Sequence, residues 1–143
     1  MSRFSEIIRS LQESPNLHKR SSAYYELVRN VLRDEVVKTF SNVERVSAQF
    51  GFFGELSFPY VKMGAIDTLD LFGLDELIIF AYYNRNKKLY KNCLDIGANL
   101  GLHSLIMDRC GFKVMAFEPD PHHYELASKN LSEIGRASCR ERV

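Results

Sequence analysis

Two carboxylates and two glycines near the middle of the chain have the spacing of a ligand site at the end of a parallel β-sheet. Asp95 ends an apolar run, Gly97 and Gly101 follow it, and Glu118 ends the next apolar run, 23 positions after Asp95 (118 − 95). Ligands of open α/β sheets bind beyond the carboxyl ends of the strands, where glycines let them approach backbone N–H groups. A carboxylate about 20 residues further on can accept hydrogen bonds from ribose hydroxyls. The spacing therefore predicts a site for a ribose-bearing cofactor.

The segments around these residues predict the elements that hold them in place. Apolar residues over 89–94 and 114–117 predict two strands. Between them, apolar residues at helical spacing over 102–110 predict a helix, which Gly111 ends because glycine enters the left-handed conformation without steric cost. An acid followed by proline at 120–121 predicts the start of a second helix. This order of elements is that of an α/β fold.

The type of ribose-bearing cofactor follows from glycines that the loop lacks. The dinucleotide fingerprint G-x-G-x-x-G, started at Gly97, needs glycines at the positions that Asn99 and Leu102 occupy. The middle glycine lets the backbone approach a pyrophosphate, and an asparagine there crowds it. S-adenosylmethionine carries no phosphate, so the loop favours this cofactor over NAD. The alternatives are another nucleotide and a structural βαβ unit without a ligand.

Two motifs in the same region resemble one known family. The segments DIGANLGLHS and AFEPDPHHYELASKNL are similar to the D-x-G-A-N-x-G loop and the F-E-P-x-P segment of the FkbM family of S-adenosylmethionine-dependent methyltransferases. The resemblance covers residues 89–131. The motif positions are Asp95, Gly97, Ala98, Asn99, Gly101, Phe117, Glu118, Pro119 and Pro121.

The resemblance implies a Rossmann-like fold, a cofactor and a class of substrate. Asp95, Gly97 and Gly101 would face the methionine part of S-adenosylmethionine, and Glu118 would face its ribose. The family is similar to enzymes that methylate oxygen atoms of sugars and other small molecules, so a saccharide or small-molecule acceptor is expected. The candidate cofactor-binding residues are Asp95, Gly97, Ala98, Asn99, Gly101, His103, Glu118 and Pro119.

Three histidines near the motifs are candidates for acid or base chemistry, because histidine titrates near neutral pH. His103 lies in the first turn after the glycines and is therefore nearer the expected cofactor. His122 and His123 lie in the exposed first turn of the second helix and are interpreted as surface residues. The sequence assigns no partner carboxylate to His103, so the catalytic residue is unknown at this stage.

Composition and charge exclude several classes of protein. At 143 residues, with 45% hydrophobic residues and a formal charge of +1, the chain is typical of a globular domain without a basic field for nucleic acid. No apolar run approaches the ~20 residues that span a membrane, and the first residues lack the apolar region of a signal peptide. The cysteines at 93, 110 and 139 lack metal-ligand spacing, so we expect reduced thiols, no metal and a cytoplasmic protein.

The sequence divides into four segments. We expect an N-terminal helical cap over 1–42, a hairpin and a helix over 43–88, an incomplete Rossmann-like methyltransferase core over 89–133, and a non-native tail over 134–143. The predicted fold class is α/β. It comprises the first βαβα portion of a Rossmann-like S-adenosylmethionine methyltransferase sheet, preceded by N-terminal helices and a β-hairpin.

The N-terminal segments carry packing patterns. Apolar residues at 24, 27, 28, 31 and 32 predict a helix that starts at a serine N-cap, 21 or 22, and ends near residue 40. The aromatic-rich run 43–62 predicts a β-hairpin that turns near Gly54-Glu55. Its aromatic side chains either line a substrate wall or pack the hairpin, and packing is favoured because aromatic residues are common in strands.

The last residues predict neither a strand nor a helix. IGRASCRERV resembles translated sequencing-adapter DNA, so we expect a truncated reading frame. A methyltransferase sheet needs further strands, and a parallel sheet is normally covered on both faces, so the fragment alone is expected to be inactive and marginally soluble. The alternative function is a non-catalytic binding or scaffold module with a nucleotide-type fold. A nicotinamide-dependent oxidoreductase is disfavoured by Asn99 and Leu102.

Overall fold

The computed structural model describes residues 3–14, 18–41, 46–132 and 138–141. Within these ranges the fold is mixed α/β, with five α-helices and seven short strands in three small sheets. The α/β class predicted from the sequence is confirmed at this level.

The N-terminal unit, Met1–Tyr82, begins with two helices that pack on each other. α1 spans Arg3–Glu13 and α2 spans Ala23–Phe40. The hydroxyl oxygen of Ser22 accepts a hydrogen bond from the Tyr25 N–H at 3.1 Å and so satisfies one of the N–H groups that a helix start leaves unpaired. The predicted N-cap and the predicted end of this helix are confirmed.

The buried face of α2 differs from the predicted stripe. Its buried residues are Tyr25, Leu32, Val36 and Phe40. The exposed residues Tyr24, Leu27 and Val31 keep 50%, 60% and 41% of their surface in solvent. The helix is turned so that the ring of Phe40 stacks on Phe72 at a centroid distance of 4.1 Å. The buried face is thus the one that carries Phe40, whose ring packs on another aromatic ring.

A β-hairpin follows, as predicted, but its turn is longer than expected. β1 (Val46–Gln49) pairs antiparallel with β2 (Glu55–Phe58). The connection contains a 3-10 turn over Gly51–Phe53, and the Phe50 N–H closes it by donating to the carbonyl oxygen of Gly54 at 2.8 Å.

Aromatic rings form the core of this unit. Phe50 is fully buried, and its ring centroid lies 5.0 Å from that of Phe4, 5.4 Å from that of Phe72 and 6.4 Å from that of Phe80. Phe52 lies in the same turn but is 55% exposed. The burial of Phe50 supports the packing interpretation of the hairpin aromatics.

A second hairpin and a long helix follow. β3 (Lys62–Met63) pairs antiparallel with β4 (Ile66–Asp67). α3 spans Leu74–Asn86, within the segment 43–88 for which the sequence predicts a hairpin and a helix.

The C-terminal unit, Tyr83–Val143, contains a three-stranded parallel sheet. Its strands are β5 (Asn92–Ile96), β6 (Lys113–Glu118) and β7 (Ser138–Glu141), in the order β5-β6-β7. The helices α4 (Leu102–Arg109) and α5 (Pro121–Ser132) connect consecutive strands.

The predicted end of α4 and the predicted start of α5 are confirmed. Gly111 follows α4 with a left-handed φ of 91°. Asp120 precedes α5, and its side chain accepts a hydrogen bond from the His123 N–H at 2.9 Å. This bond lowers the pKa of Asp120 below its usual value. Both features are the ones that end and start helices in general.

Two strand predictions are wrong in part. The first strand begins at Asn92 and not at residue 89, because the Leu89 N–H donates to the carbonyl oxygen of Asn86 at 2.8 Å in a turn after α3. Residues 138–141 form β7, although the sequence predicted no strand there. β7 is specified by backbone pairing with β6 and not by apolar alternation. The remaining residues of the predicted tail, 134–137, 142 and 143, lie outside the described residues.

Candidate functional site

The glycine loop, residues 97–101, follows β5 and folds back over the end of β6. The N–H groups of Gly97 and Ala98 both donate to the carbonyl oxygen of Phe117, at 2.8 and 3.0 Å. Glu118 is the last residue of β6, so the loop and this acid meet at the carboxyl edge of the sheet. The structure thus brings together the residues that the sequence spacing singled out.

The two glycines of the loop have different surroundings. Gly97 and Gly101 have left-handed φ values of 79° and 80°. A Cβ atom at Gly97 would meet no atom within 4 Å, whereas one at Gly101 would lie 3.4 Å from side-chain atoms of Ala127 and Leu131. Gly101 therefore brings the loop into contact with α5, and Gly97 leaves open space beside its backbone. Asn99, with a φ of 52°, is the non-glycine type that tolerates this conformation best.

Glu118 braces the glycine loop from within. The side chain is buried, with 5% exposure. Its Oε2 atom accepts a hydrogen bond from the Asn99 N–H at 2.6 Å, and its Oε1 atom accepts one from the Asp120 N–H at 2.9 Å. The sequence predicted a ribose acceptor here and missed this internal role. Each carboxylate oxygen has a second lone pair, so the internal bonds leave acceptor capacity.

Asp95 also forms an internal hydrogen bond. Its Oδ2 atom accepts a hydrogen bond from the hydroxyl of Ser104 at 2.6 Å, and Ser104 is fully buried in the first turn of α4. The bond ties the end of β5 to the helix that follows the loop. Ser104 was not among the predicted site residues. The sequence did offer a sign of this role, because Ser104 is the last residue of the segment DIGANLGLHS, which resembles the family's loop motif.

One polar atom of the loop is buried and unsatisfied. Among the described residues, Asn99 Oδ1 has no hydrogen-bond donor. A buried oxygen without a partner costs free energy, so such an atom indicates a donor that a ligand or water would bring. Of the other candidate residues, Ala98 is buried and Pro119 is exposed.

His103 lies on α4, next to the loop, and has a partner that the sequence did not reveal. Its Nδ1 atom lies 3.1 Å from the hydroxyl of Tyr83, and the two rings meet edge to face at a centroid distance of 6.0 Å. Tyr83 lies near the end of α3, 20 residues earlier (103 − 83). No spacing rule joins the two residues, so sequence reasoning offered no signal for this pair.

The thiols of Cys93 and Cys110 are poorly suited to nucleophilic chemistry. Burial, with a smaller contribution from Asp95, raises the pKa of Cys93. Burial raises the pKa of Cys110 to about 11. Because the thiolate is the reactive form, neither thiol is activated as a nucleophile near neutral pH.

The N-terminal unit has a polar cleft of its own, with a volume of about 810 Å³. At its rim, Asp75 accepts a hydrogen bond from the Tyr25 hydroxyl at 2.6 Å and forms an ion pair with Arg20 at 2.5 Å. The hydrogen bond from Tyr25, aided by Arg20, holds the pKa of Asp75 below its usual value. Burial and the same hydrogen bond raise the pKa of Tyr25.

Comparisons with known proteins give no relative for this chain: no family model, no curated protein and no solved structure matches it. Within the described ranges, no three His, Cys, Asp or Glu side chains are grouped as metal ligands. No helix in the described part of the chain has the length and apolar character needed to cross a membrane.

Proposed function

We propose that this chain carries the cofactor-binding part of an S-adenosylmethionine-dependent methyltransferase of the FkbM type, with a Rossmann-like sheet. The observation that carries the proposal is the glycine loop itself. It is braced by Glu118, is open beside Gly97, and holds an unsatisfied acceptor, Asn99 Oδ1. The parallel order β5-β6-β7 is consistent with such a sheet.

The residues of the loop fit the parts of this cofactor. The open space at Gly97 gives a ligand access to the backbone, and Asn99 Oδ1 accepts a hydrogen bond from an N–H group. Glu118 keeps the loop in place and offers its remaining lone pairs to ribose hydroxyls. By resemblance, Asp95 faces the methionine part. When bound, S-adenosylmethionine supplies an electrophilic methyl group, and the protein contributes by orienting it towards an acceptor oxygen of a sugar or small molecule.

Calorimetry with S-adenosylhomocysteine tests the cofactor assignment. We expect the full chain to bind it and Gly97→Leu to weaken binding at least about tenfold, a change of about 1.4 kcal/mol. The matched control is Gly64→Leu, because Gly64 has a similar φ of 69° and equally open surroundings but lies in the β3–β4 turn. Absence of binding, or equal binding by both variants, would remove the assignment. Circular dichroism checks that the variants fold.

A non-catalytic binding or scaffold module is the second candidate. The observation that favours it is that Glu118 and Asp95 both accept hydrogen bonds from the protein itself. In this case the acids hold the loop and bind no ligand. Glu118→Gln would then lower stability without changing the affinity for S-adenosylhomocysteine. Displacement of S-adenosylhomocysteine by NADH would instead favour a nicotinamide cofactor.

A further inference from the structure

The polar cleft of the N-terminal unit, with a volume of about 810 Å³, is lined by α2 and by the segment 67–76. Sites that bind small molecules typically have volumes of about 300–1,000 Å³. Arg29 and Arg33 lie one turn apart on the face of α2 that lines the cleft. Asp70 belongs to the facing segment. The buried side chains of Leu32 and Phe72 add apolar surface to the lining.

Contacts at both ends of α2 hold the cleft in shape. The Tyr25 hydroxyl donates a hydrogen bond to Asp75 at 2.6 Å, which joins the start of α2 to the start of α3. At the other end of α2, the ring of Phe40 stacks on that of Phe72 at a centroid distance of 4.1 Å. A cleft that is held in this way needs little reordering when a ligand enters, and this lowers the cost of binding.

Two opposite charges line the cleft without meeting each other. Arg33 is exposed and, within the ranges that the structure describes, forms no hydrogen bond or ion pair. Asp70 accepts a hydrogen bond from the Asp67 N–H through Oδ2 at 2.8 Å, and it forms no ion pair in the same ranges. The neighbouring Arg29, in contrast, pairs with Glu26 at 2.7 Å. Arg33 and Asp70 are therefore the charges of the cleft that are available to a ligand.

We propose that the cleft binds an amino acid with an apolar side chain. Its carboxylate pairs with Arg33, because a guanidinium group can bind a carboxylate through two parallel hydrogen bonds. Its ammonium group pairs with the remaining acceptor oxygen of Asp70. Its side chain packs on the apolar part of the lining, where Leu69 is half-buried and Val37 is 43% exposed.

Ligands that carry a single charge fit the cleft less well. Its described lining includes three arginines and five carboxylates, so a purely anionic ligand would meet an excess of like charge. A purely cationic ligand would leave Arg33 unpaired and would be repelled by it. Only a ligand with both charges matches Arg33 and Asp70 at the same time.

The proposal is independent of the cofactor assignment, because every residue that it uses belongs to the unit Met1–Tyr82. S-adenosylhomocysteine also contains an amino-acid group, so the two sites have to be distinguished by experiment. Gly97→Leu, which should weaken binding of S-adenosylhomocysteine, should leave the affinity for an apolar amino acid unchanged. Parallel loss of both affinities in Gly97→Leu would overturn the assignment of the amino acid to the cleft.

Calorimetry of the full chain with L-leucine is the first test. We expect L-leucine to bind. N-acetyl-L-leucine, which lacks the ammonium group, and L-leucinamide, which lacks the carboxylate, should each bind at least about fivefold more weakly, because each loses a charge-assisted hydrogen bond. Absence of L-leucine binding would overturn the proposal, as would equal binding of L-leucine and either blocked analogue.

Variants of the two charged residues test which group of the ligand each one binds. Arg33→Gln should weaken L-leucine binding at least about fivefold and leave L-leucinamide binding unchanged, since the amide has no carboxylate to lose. Asp70→Asn should weaken L-leucine binding similarly and leave N-acetyl-L-leucine binding unchanged. Asparagine keeps an oxygen that can accept the Asp67 N–H, so this variant should fold, as circular dichroism can check.

Lys38→Gln and Asp34→Asn are the matched controls. Both residues are exposed on α2 but do not line the cleft. Neither change should alter the affinity for L-leucine. If the control variants weakened binding as much as Arg33→Gln and Asp70→Asn do, the charge of the unit as a whole and not the cleft would attract the ligand, and the proposal would be wrong. Equal losses for L-leucine and L-leucinamide in Arg33→Gln would likewise contradict it.

Discussion

Asp75 joins the start of α3 to α2 through a charge and a hydrogen bond. Its carboxylate binds the Tyr25 hydroxyl and the Arg20 guanidinium, and these partners hold its pKa below the ordinary value of 3.8. A carboxyl group with a lowered pKa in the folded state stabilises the fold fully above its unfolded pKa. This stabilisation is lost as the pH falls through the lowered value.

We expect Asp75→Asn to lower the free energy of unfolding by about 0.5–1 kcal/mol near neutral pH, the range of a partly exposed ion pair with one hydrogen bond. The difference from the wild type should begin to shrink below about pH 4, because the unfolded carboxylate then takes up a proton more readily than the folded one, and it should vanish below the lowered pKa of the folded state. Urea denaturation near neutral pH and near pH 3 measures both values. The control is Asp34→Asn, because Asp34 is an exposed α2 carboxylate without a hydrogen bond or ion pair among the described residues. This change should leave the free energy of unfolding unaltered at both pH values. An undiminished difference in acid would contradict the prediction.

Gly101→Ala should cost more stability than Gly97→Ala. The two positions have nearly equal left-handed φ values, so both variants lose about 1 kcal/mol to backbone strain. At Gly101 the added methyl also lies 3.4 Å from side-chain atoms of Ala127 and Leu131, at the short limit of ordinary van der Waals contact, so any shift that these buried side chains have to make adds to the loss. Denaturant titration of both variants measures the difference. Equal losses would show that α5 accommodates the methyl group.

The sequence foresaw which residues of the site meet but not their hydrogen bonds. The spacing of Gly97 and Glu118 predicted that the loop and the acid lie at one edge of the sheet, because parallel strands place their carboxyl ends together. It did not predict that Glu118 binds the Asn99 and Asp120 N–H groups. Those bonds depend on the left-handed backbone conformation of Asn99. A sequence pattern predicts that conformation reliably only for glycine, because it is uncommon for other residues.

At the scale of elements, the aromatic turn of the first hairpin carries much of the packing of its unit. We expect Phe50→Ala to lower the free energy of unfolding by about 3–5 kcal/mol, because it leaves a cavity among Phe4, Phe72 and Phe80. Phe52→Ala is the matched change in the same turn and should stay within about 0.5 kcal/mol, since Phe52 is 55% exposed. Urea midpoints of the two variants provide the comparison. Similar losses would mean that Phe52 also packs in the core.

Helices were predicted more closely than strands because their signals are local. Ser22 and Pro121 mark helix starts through groups within a few residues of each other. The start of β5 depends on the turn after α3, and β7 exists through pairing with β6, which is distant in sequence. The face of α2 was misassigned for the same reason. The buried face of α2 contacts Phe72, which lies outside the helix, so the spacing of apolar residues within the helix cannot indicate that face.

At the scale of the whole chain, exposed apolar surface should limit solubility. Tyr24, Leu27 and Val31 form an exposed stripe on α2, and contiguous apolar surface promotes association. We expect Leu27→Lys combined with Val31→Glu to raise the solubility limit. The formal charge is unchanged, and the free energy of unfolding should stay within about 0.5 kcal/mol of the wild type.

Leu32→Lys is the control for these changes, because Leu32 lies on the same helix but is buried. It should unfold the N-terminal unit, since an unpaired charge in the core costs several kcal/mol. Precipitation curves and urea denaturation together distinguish the two outcomes. If the double variant were as destabilised as Leu32→Lys, the stripe would be part of the core.

The bonds that brace the glycine loop also have a kinetic consequence. The contact between Asn99 and Glu118 spans 19 residues, and most of the chain between them is α4 and β6. Closing so short a segment costs little entropy, and contacts of small sequence separation form early in folding. We therefore expect the loop, its acid and the intervening helix to form together early in folding. Amide protection in pulse-labelled refolding should appear at Asn99 together with α4, and later protection at Asn99 than in α4 would contradict this expectation.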